Sequence, residues 1–174
     1  MNESLQVISF ITGILSVYYA TKSNRNTFVL GSVSNLSLIL FGVINGFYGT
    51  ILINSVLLVT CLFGYIRWSK AETEITFSRN LFINVSILVT CLLVGFSFTG
   101  DIDLMTSMIG VGATILLIYR HYLNWLYWII MDFFFIGFYM QEEHYIVALQ
   151  YAVFLGLCVY GINEWSKQLE NTKG

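Results

Sequence analysis

The sequence predicts an all-α integral membrane protein of seven transmembrane helices, arranged as two parallel three-helix repeats joined by one linker helix. Three observations lead there. The chain has 174 residues, of which 57% are hydrophobic and only 10% charged; a soluble domain carries roughly 25% charged residues to coat its surface. Its lysines and arginines collect in alternate connecting segments, as expected when cationic loops stay on one side of a bilayer. Shifted by 97 positions, the sequence also matches itself, the signature of an internal duplication.

Charged or Gly/Asn-containing breaks divide the chain into spans at 4–20, 27–46, 48–66, 79–98, 102–119, 122–140 and 144–165. A membrane helix needs about 20 mostly apolar residues, so seven consume about 140. What remains suffices for short loops. A second soluble domain, a nucleic-acid-binding tail and a large extramembrane catalytic head are thereby excluded, and 1–174 reads as a single membrane domain. Span 1 reads as a retained helix, because MNES lacks the basic n-region of a cleaved signal peptide. The runs 83–98 and 145–159 lack the period-two alternation of barrel strands.

With the N-terminus outside, the inside segments are 21–26, 67–78, 120–121 and the C-terminal tail. Lys22, Arg25, Arg67, Lys70, Arg79, Arg120, Lys167 and Lys173 all fall there or at the adjoining span edges. Glu3, Asp101, Asp103, Glu142 and Glu143 fall in the outside segments, with no base among them. The orientation is N-out, C-in.

The duplication pairs spans 1–3 (4–66) with spans 5–7 (102–165) and leaves 79–98 as the linker. Gly64-x3-Trp68-Ser69-Lys70 recurs as Gly161-x3-Trp165-Ser166-Lys167. Three helices reverse direction end to end, so a fourth is needed before a second copy can enter from the same side. Parallel repeats of this kind occur in transporters, with the substrate site between the halves near mid-membrane.

Candidate site residues cluster on spans 6 and 7 and their repeat partners. At 100° per residue, Trp125, Trp128 and Asp132 share one helix stripe. An aspartate near mid-span costs ~2.5–3.5 kcal/mol on insertion scales, so such groups face a bundle interior or a wet cavity. The repeat offset carries Asp132 onto Asn35 and Tyr151 onto Asn54. A cavity between the halves is therefore expected to be lined by Asn35 and Asn54 on one side and by Asp132, Gln150 and Tyr151 on the other. The bland alternative makes the amides interhelical glue, worth about 0.6 kcal/mol each. An aromatic face beside a carboxylate suits a flat cationic ring, through stacking and cation–π attraction of about 0.5–2 kcal/mol.

Other conspicuous residues read as structural. Trp68 and Trp165, near span ends, are expected in the interfacial belt. Gly42-x3-Gly46 is expected to pack helices closely, and His121 and His144 to be solvated at span edges. Asn80 and Asn84 are expected to cap or pack, and Cys61, Cys91 and Cys158 to be small packed hydrophobes with no ligand spacing. An intramembrane enzyme is disfavoured: no HExxH, no Ser/His pairing at usable depth and no second intramembrane acid accompany Asp132. Span 7 has no mid-membrane lysine for a retinal Schiff base. No metal or cofactor is called for. A transporter of a small aromatic molecule is the leading reading, and an accessory membrane protein the other.

The stretch Asn124-Trp125-Leu-Tyr-Trp128-Ile-Ile-Met-Asp132, continuing to Tyr139 and to Gly161-Ile-Asn-Glu-Trp165, resembles the C-terminal half of the Pnu-type vitamin transporters. Gly31 through Phe47-Tyr48, then Gly64-Tyr65-Ile-Arg67-Trp68, is similar to the matching N-terminal block. The resemblance implies a three-plus-one-plus-three fold akin to the SWEET sugar transporters, in a bacterial plasma (inner) membrane. It implies facilitated diffusion of a vitamin precursor, nicotinamide riboside first, with trapping by an intracellular kinase, and it leaves a homotrimer open. Carried over by residue, the WxxW tryptophans are Trp125 and Trp128 and the following acid is Asp132. Asn54 stands at a span-3 position often occupied by glutamine, and Leu57 where relatives have tyrosine. Thiamine, riboflavin and nucleosides stay open as cargo. The expected partners are that small molecule and membrane lipid, with no nucleic acid. A SWEET proper is disfavoured, since the chain has no proline.

Overall fold

The computed structural model describes residues 2–70, 75–97 and 100–171. Among them run seven helices: α1 Asn2–Thr21, α2 Asn26–Asn45, α3 Tyr48–Lys70, α4 Arg79–Phe96, α5 Ile102–Ile118, α6 Asn124–Gln141 and α7 Tyr145–Asn171. They follow the seven hydrophobic segments, but α3 and α7 run on past the apolar stretch, because hydropathy registers where apolar residues stop and not where backbone hydrogen bonding does. α1, α2, α3 and α7 are long and apolar enough to cross a membrane, α4 and α5 are shorter apolar helices, and α6 is diluted by Asn124, Asp132 and Gln141. Phe98, Lys173 and the side chain of Lys70 lie outside the described residues.

The helices close into a ring. α1 packs on α2, α2 on α3, α3 on α5, α5 on α6, α6 on α7, and α7 returns to α1. α4 stands outside this ring against α5. Ser78 caps α4 by accepting from the Leu81 N–H, and Asp101 caps α5 by accepting from the Leu104 N–H. Asn80 and Asn84 are exposed, so the cap expected of them belongs to Ser78. Cys61 and Cys158 are buried, while Cys91 on α4 is exposed and does not pack as expected.

Equivalent contacts recur 97 residues apart. Ser23 and Arg120 both adopt the left-handed conformation (φ 54° and 49°), as do Gly46 and Glu143 (φ 75° and 61°). The Asn24 N–H donates to Tyr19 O at 2.9 Å, and the His121 N–H to Leu116 O at 2.8 Å. Phe28 meets Trp68 edge-on at 4.9 Å, and Trp125 meets Trp165 edge-on at 5.1 Å. Each ring pair lies over a glycine. A Cβ on Gly64 would fall 2.2 Å from the Phe28 ring, and one on Gly161 would fall 2.7 Å from Trp125. Trp68 and Trp165 are therefore buried packing residues, not belt residues, because these glycines open the space their ring partners fill. Gly46 likewise ends α2 as a left-handed cap. A Cβ added to Gly46 would meet nothing within 4 Å, so only Gly42 of that pair packs closely.

One end of the ring gathers the α1–α2 and α5–α6 turns and the segment before α4. There Arg120 is 5% exposed, lies over the Trp68 ring at 4.0 Å, and donates to Ser23 O at 3.2 Å. Burial brings its guanidinium down to about 10. His121, expected to be solvated, is fully buried, and burial lowers its pKa. It stacks against Phe77 and Phe82 and meets the Ser78 backbone, because Thr76 pairs with the α5–α6 turn and folds this segment over it. His144, at the other end, is partly buried between Phe41 and Phe47.

At that other end the first turns of α3 and α5 meet backbone to backbone. A Cβ on Gly49 would sit 2.3 Å from the Asp103 carbonyl, a contact no side-chain rotation relieves. Overpacking costs roughly 1–3 kcal/mol, about 2–4 °C of melting temperature per kcal/mol in a chain of this size. Gly49→Ala is therefore expected to lower the thermal midpoint in detergent, whereas Gly137→Ala, with open space around it, is expected to leave it unchanged or raise it.

Candidate functional site

The ring encloses a cavity of about 120 Å³. Asn35, Asn54, Trp125, Trp128, Asp132, Gln150 and Tyr151 all line it. The structure thus brings the seven sequence-derived residues into one space, with contributions from α2, α3, α6 and α7. The cavity runs from the level of Asp132 and Gln150 toward Ala20, Thr27, Leu117 and Ile118, near the α1–α2 and α5–α6 turns. Among the described residues that line it, Asp132 is the one charged side chain.

Asp132 is 0% exposed. Its Oδ2 accepts from the Cys158 thiol at 3.7 Å, and its Oδ1 has no partner. On the opposite wall the Asn35 amide donates to Cys61 Sγ, also at 3.7 Å. Asn35 and Asp132, like Cys61 and Cys158, are 97 residues apart, so one geometry is built twice with an amide in one copy and an acid in the other. Gln150 is buried; its Oε1 accepts from Ser9 Oγ at 2.9 Å, and its Nε2 has no partner. Asn54 turns its amide back onto Thr50 O at 2.8 Å.

The aromatic walls are fixed from outside. Trp125 is 1% exposed and wedged between Gly161 and Trp165, with its indole N–H unpartnered. Trp128 is half-buried and touches both large apolar clusters, so it bridges the two ends of the core. Tyr151 stacks on Tyr139 at 5.6 Å with the rings 4° from parallel.

Three buried polar atoms therefore lack partners around one space: an acceptor on Asp132 and donors on Gln150 and Trp125. Buried polar groups are nearly always hydrogen-bonded, and exceptions in a cavity mark where a ligand or water binds. The chemistry on offer is recognition, with one carboxyl, two N–H donors and aromatic surface.

Sequence reasoning missed four supporting residues. Ser9, which holds the Gln150 amide, is an ordinary intramembrane serine with no pattern around it. Cys158 was traceable, because the offset pairing Asn35 with Asp132 also pairs Cys61 with Cys158. Asp103, counted among the outside acids, is instead buried in α5, its carboxylate accepting from the Thr50 N–H and hydroxyl; Thr50 is the fourth. A carboxylate one turn into a span looks like a loop acid until the facing helix N-terminus is known.

A family model described as nicotinamide mononucleotide transporter matches residues 3–167. The nicotinamide riboside transporter PnuC of Neisseria mucosa is 24% identical over 196 residues, covering 98% of this chain and 74% of the relative. Among solved structures, one described as the vitamin B3 transporter PnuC is similar in fold, with a TM-score of 0.84 at 19% identity, across 96% of this chain and 82% of the other.

A buried carboxyl with a thiol as its one hydrogen-bond partner among the described residues costs stability, and an amide of the same shape removes the ionisable group. Asp132→Asn is accordingly expected to hold or raise the thermal midpoint of the ligand-free protein. A fall of several degrees would mean that the carboxyl is there for the fold.

Proposed function

The chain belongs to the nicotinamide mononucleotide transporter family, and from that membership we propose that it carries nicotinamide riboside across the membrane through the cavity at Asp132. The observation that carries this choice of cargo is the unpartnered Oδ1 of Asp132 in a cavity with no lysine, arginine or histidine among the described residues on its walls. The pyridinium ring of a nicotinamide riboside is flat and cationic. It matches the carboxyl and the Trp128 face, while the free N–H groups of Gln150 and Trp125 suit its carboxamide and ribose oxygens. A mononucleotide adds phosphate. A phosphate charge near the carboxylate is repelled by it, and no basic side chain among the described wall residues offsets it. The riboside is the better fit.

In this reading Trp125, Trp128, Asp132, Asn35, Asn54, Gln150 and Tyr151 form the substrate site. The helices α1–α3 and α5–α7 are two copies of one SWEET-like unit with α4 as the linker, a reading supported by the left-handed turns, ring pairs and thiol contacts that recur 97 residues apart. The orientation is N-out, C-in in a bacterial inner membrane, supported by the basic residues at one end of the ring. Transport is facilitated diffusion by rocking of the two units about the cavity, followed by metabolic trapping inside the cell.

Purified protein is expected to bind nicotinamide riboside saturably in calorimetry, and liposomes containing it to take the compound up, with nicotinamide mononucleotide at least about tenfold weaker. Tight binding of thiamine, riboflavin or uridine in place of the riboside would reassign the cargo, and no saturable signal for any of them would remove the transporter reading. Trp128→Ala and Asp132→Ala are both expected to weaken riboside binding by about tenfold or more while preserving helical circular dichroism. Wild-type affinity in either variant would move the site elsewhere.

A further inference from the structure

We propose that Asp103 is a positioning residue of the transport cycle: by clamping Thr50 it closes the cavity at the α2–α3 and α6–α7 end, and the clamp parts when the cavity opens to that side. This rests on the transporter reading above.

The geometry is specific. Asp103 lies in the first turn of α5 and is 2% exposed. Its Oδ2 accepts from the Thr50 N–H at 2.9 Å and its Oδ1 from the Thr50 hydroxyl at 2.7 Å. Thr50 sits in the first turn of α3, where helix N–H groups have no intrahelical acceptor and the helix dipole favours an anion. One carboxylate therefore joins the starting turns of two helices that belong to different three-helix units, next to the Gly49–Asp103 backbone contact.

Thr50 passes that constraint to the cavity walls. Its carbonyl holds the Asn54 amide, and its hydroxyl meets the Tyr139 hydroxyl, whose ring stacks on Tyr151. Asp103 itself does not line the cavity, yet through Thr50 it fixes two residues that do, one from each unit. Past them, Phe41, Phe47 and His144 pack together and fill the end of the ring. Toward the opposite end the cavity itself continues, lined by Ala20, Thr27, Leu117 and Ile118 up to the turns that Arg120 joins. A solute entering from the sealed end needs the α3 and α5 starts to separate, and the two bonds to Asp103 hold them together.

The test reads side-specific access and needs no substrate. Full-length protein, with Cys91→Ser, is labelled at the native cavity cysteines Cys61 and Cys158 by a membrane-impermeant thiol reagent, in right-side-out and in inverted vesicles. Asp103→Ala and Thr50→Val are expected to raise labelling from the sealed side at least about threefold, by shifting population toward the form open there, and Thr50→Ser is expected to keep the wild-type pattern. Thr50→Val keeps the backbone N–H bond and carries the test if Asp103→Ala does not fold. Unchanged labelling from the sealed side in a folded Thr50→Val or Asp103→Ala protein overturns the proposal, as does a rise that is equal from both sides, which marks general loosening. Wild-type protein that binds no nicotinamide riboside would sink the transporter reading, and the labelling result stands apart from it.

Discussion

A carboxyl group enclosed by helices, with a thiol as its one partner, sets the terms for the rest of this molecule. Lipid supplies no hydrophobic force between helices, so packing and hydrogen bonds must hold the ring together around a space that gains nothing from being filled by the protein itself. The molecule meets that demand outside the cavity. Gly64 and Gly161 let rings seat against helix backbone, Trp68 and Trp165 brace them, and Arg120 pins the α1–α2 turn to the α5–α6 turn. With the walls fixed from behind, Asp132, Gln150 and Trp125 can leave polar atoms unused.

The recurrence at 97 residues is as informative where it breaks as where it holds. Backbone turns, glycine-seated rings and thiol contacts are shared, because both halves solve one packing problem. The cavity positions diverge: Phe28 against Trp125, Asn35 against Asp132, Asn54 against Tyr151. Equivalent contacts 97 residues apart would, with identical groups, line a symmetric hollow. The different groups at matched depths give the cavity an acidic, aromatic wall facing an amide wall.

Much of this was legible in the sequence, for reasons that also explain what was not. Apolar runs bounded by charge located the helices to within a few residues except at the far ends of α3 and α7, where helix continues into polar sequence. The stripe through Trp125, Trp128 and Asp132 and the repeat offset identified the residues that the structure gathers around the cavity. Contacts between distant helices left no local trace. Trp68 and Trp165 look like interfacial tryptophans from their place near span ends, and only the glycines one turn before them hint at burial. His121 and Asp103 sit at segment edges, where sequence predicts solvent; each is buried because a separate piece of chain, the strand-like segment at Thr76 in one case and the α3 start in the other, folds over it.

The α3–α5 and α1–α7 seams of the ring differ in kind, and that difference bears on how such a ring moves. At the α3–α5 seam, Asp103, Thr50 and Tyr139 form a polar, buried chain. The positions 97 residues away, Gln6, Val147 and Gly42, have no equivalent carboxylate or hydroxyl. There the α1–α7 contact is held nearer mid-membrane by Ser9 on Gln150 and at the opposite end by Lys22 on Glu164 at 2.7 Å. Hydrogen bonds are short-ranged and either made or broken, whereas apolar faces slide with little change in energy over small distances. A ring latched at the end of one seam and tethered along the other is suited to swing open at the latch, about the tether, as a two-state closure rather than a gradual loosening.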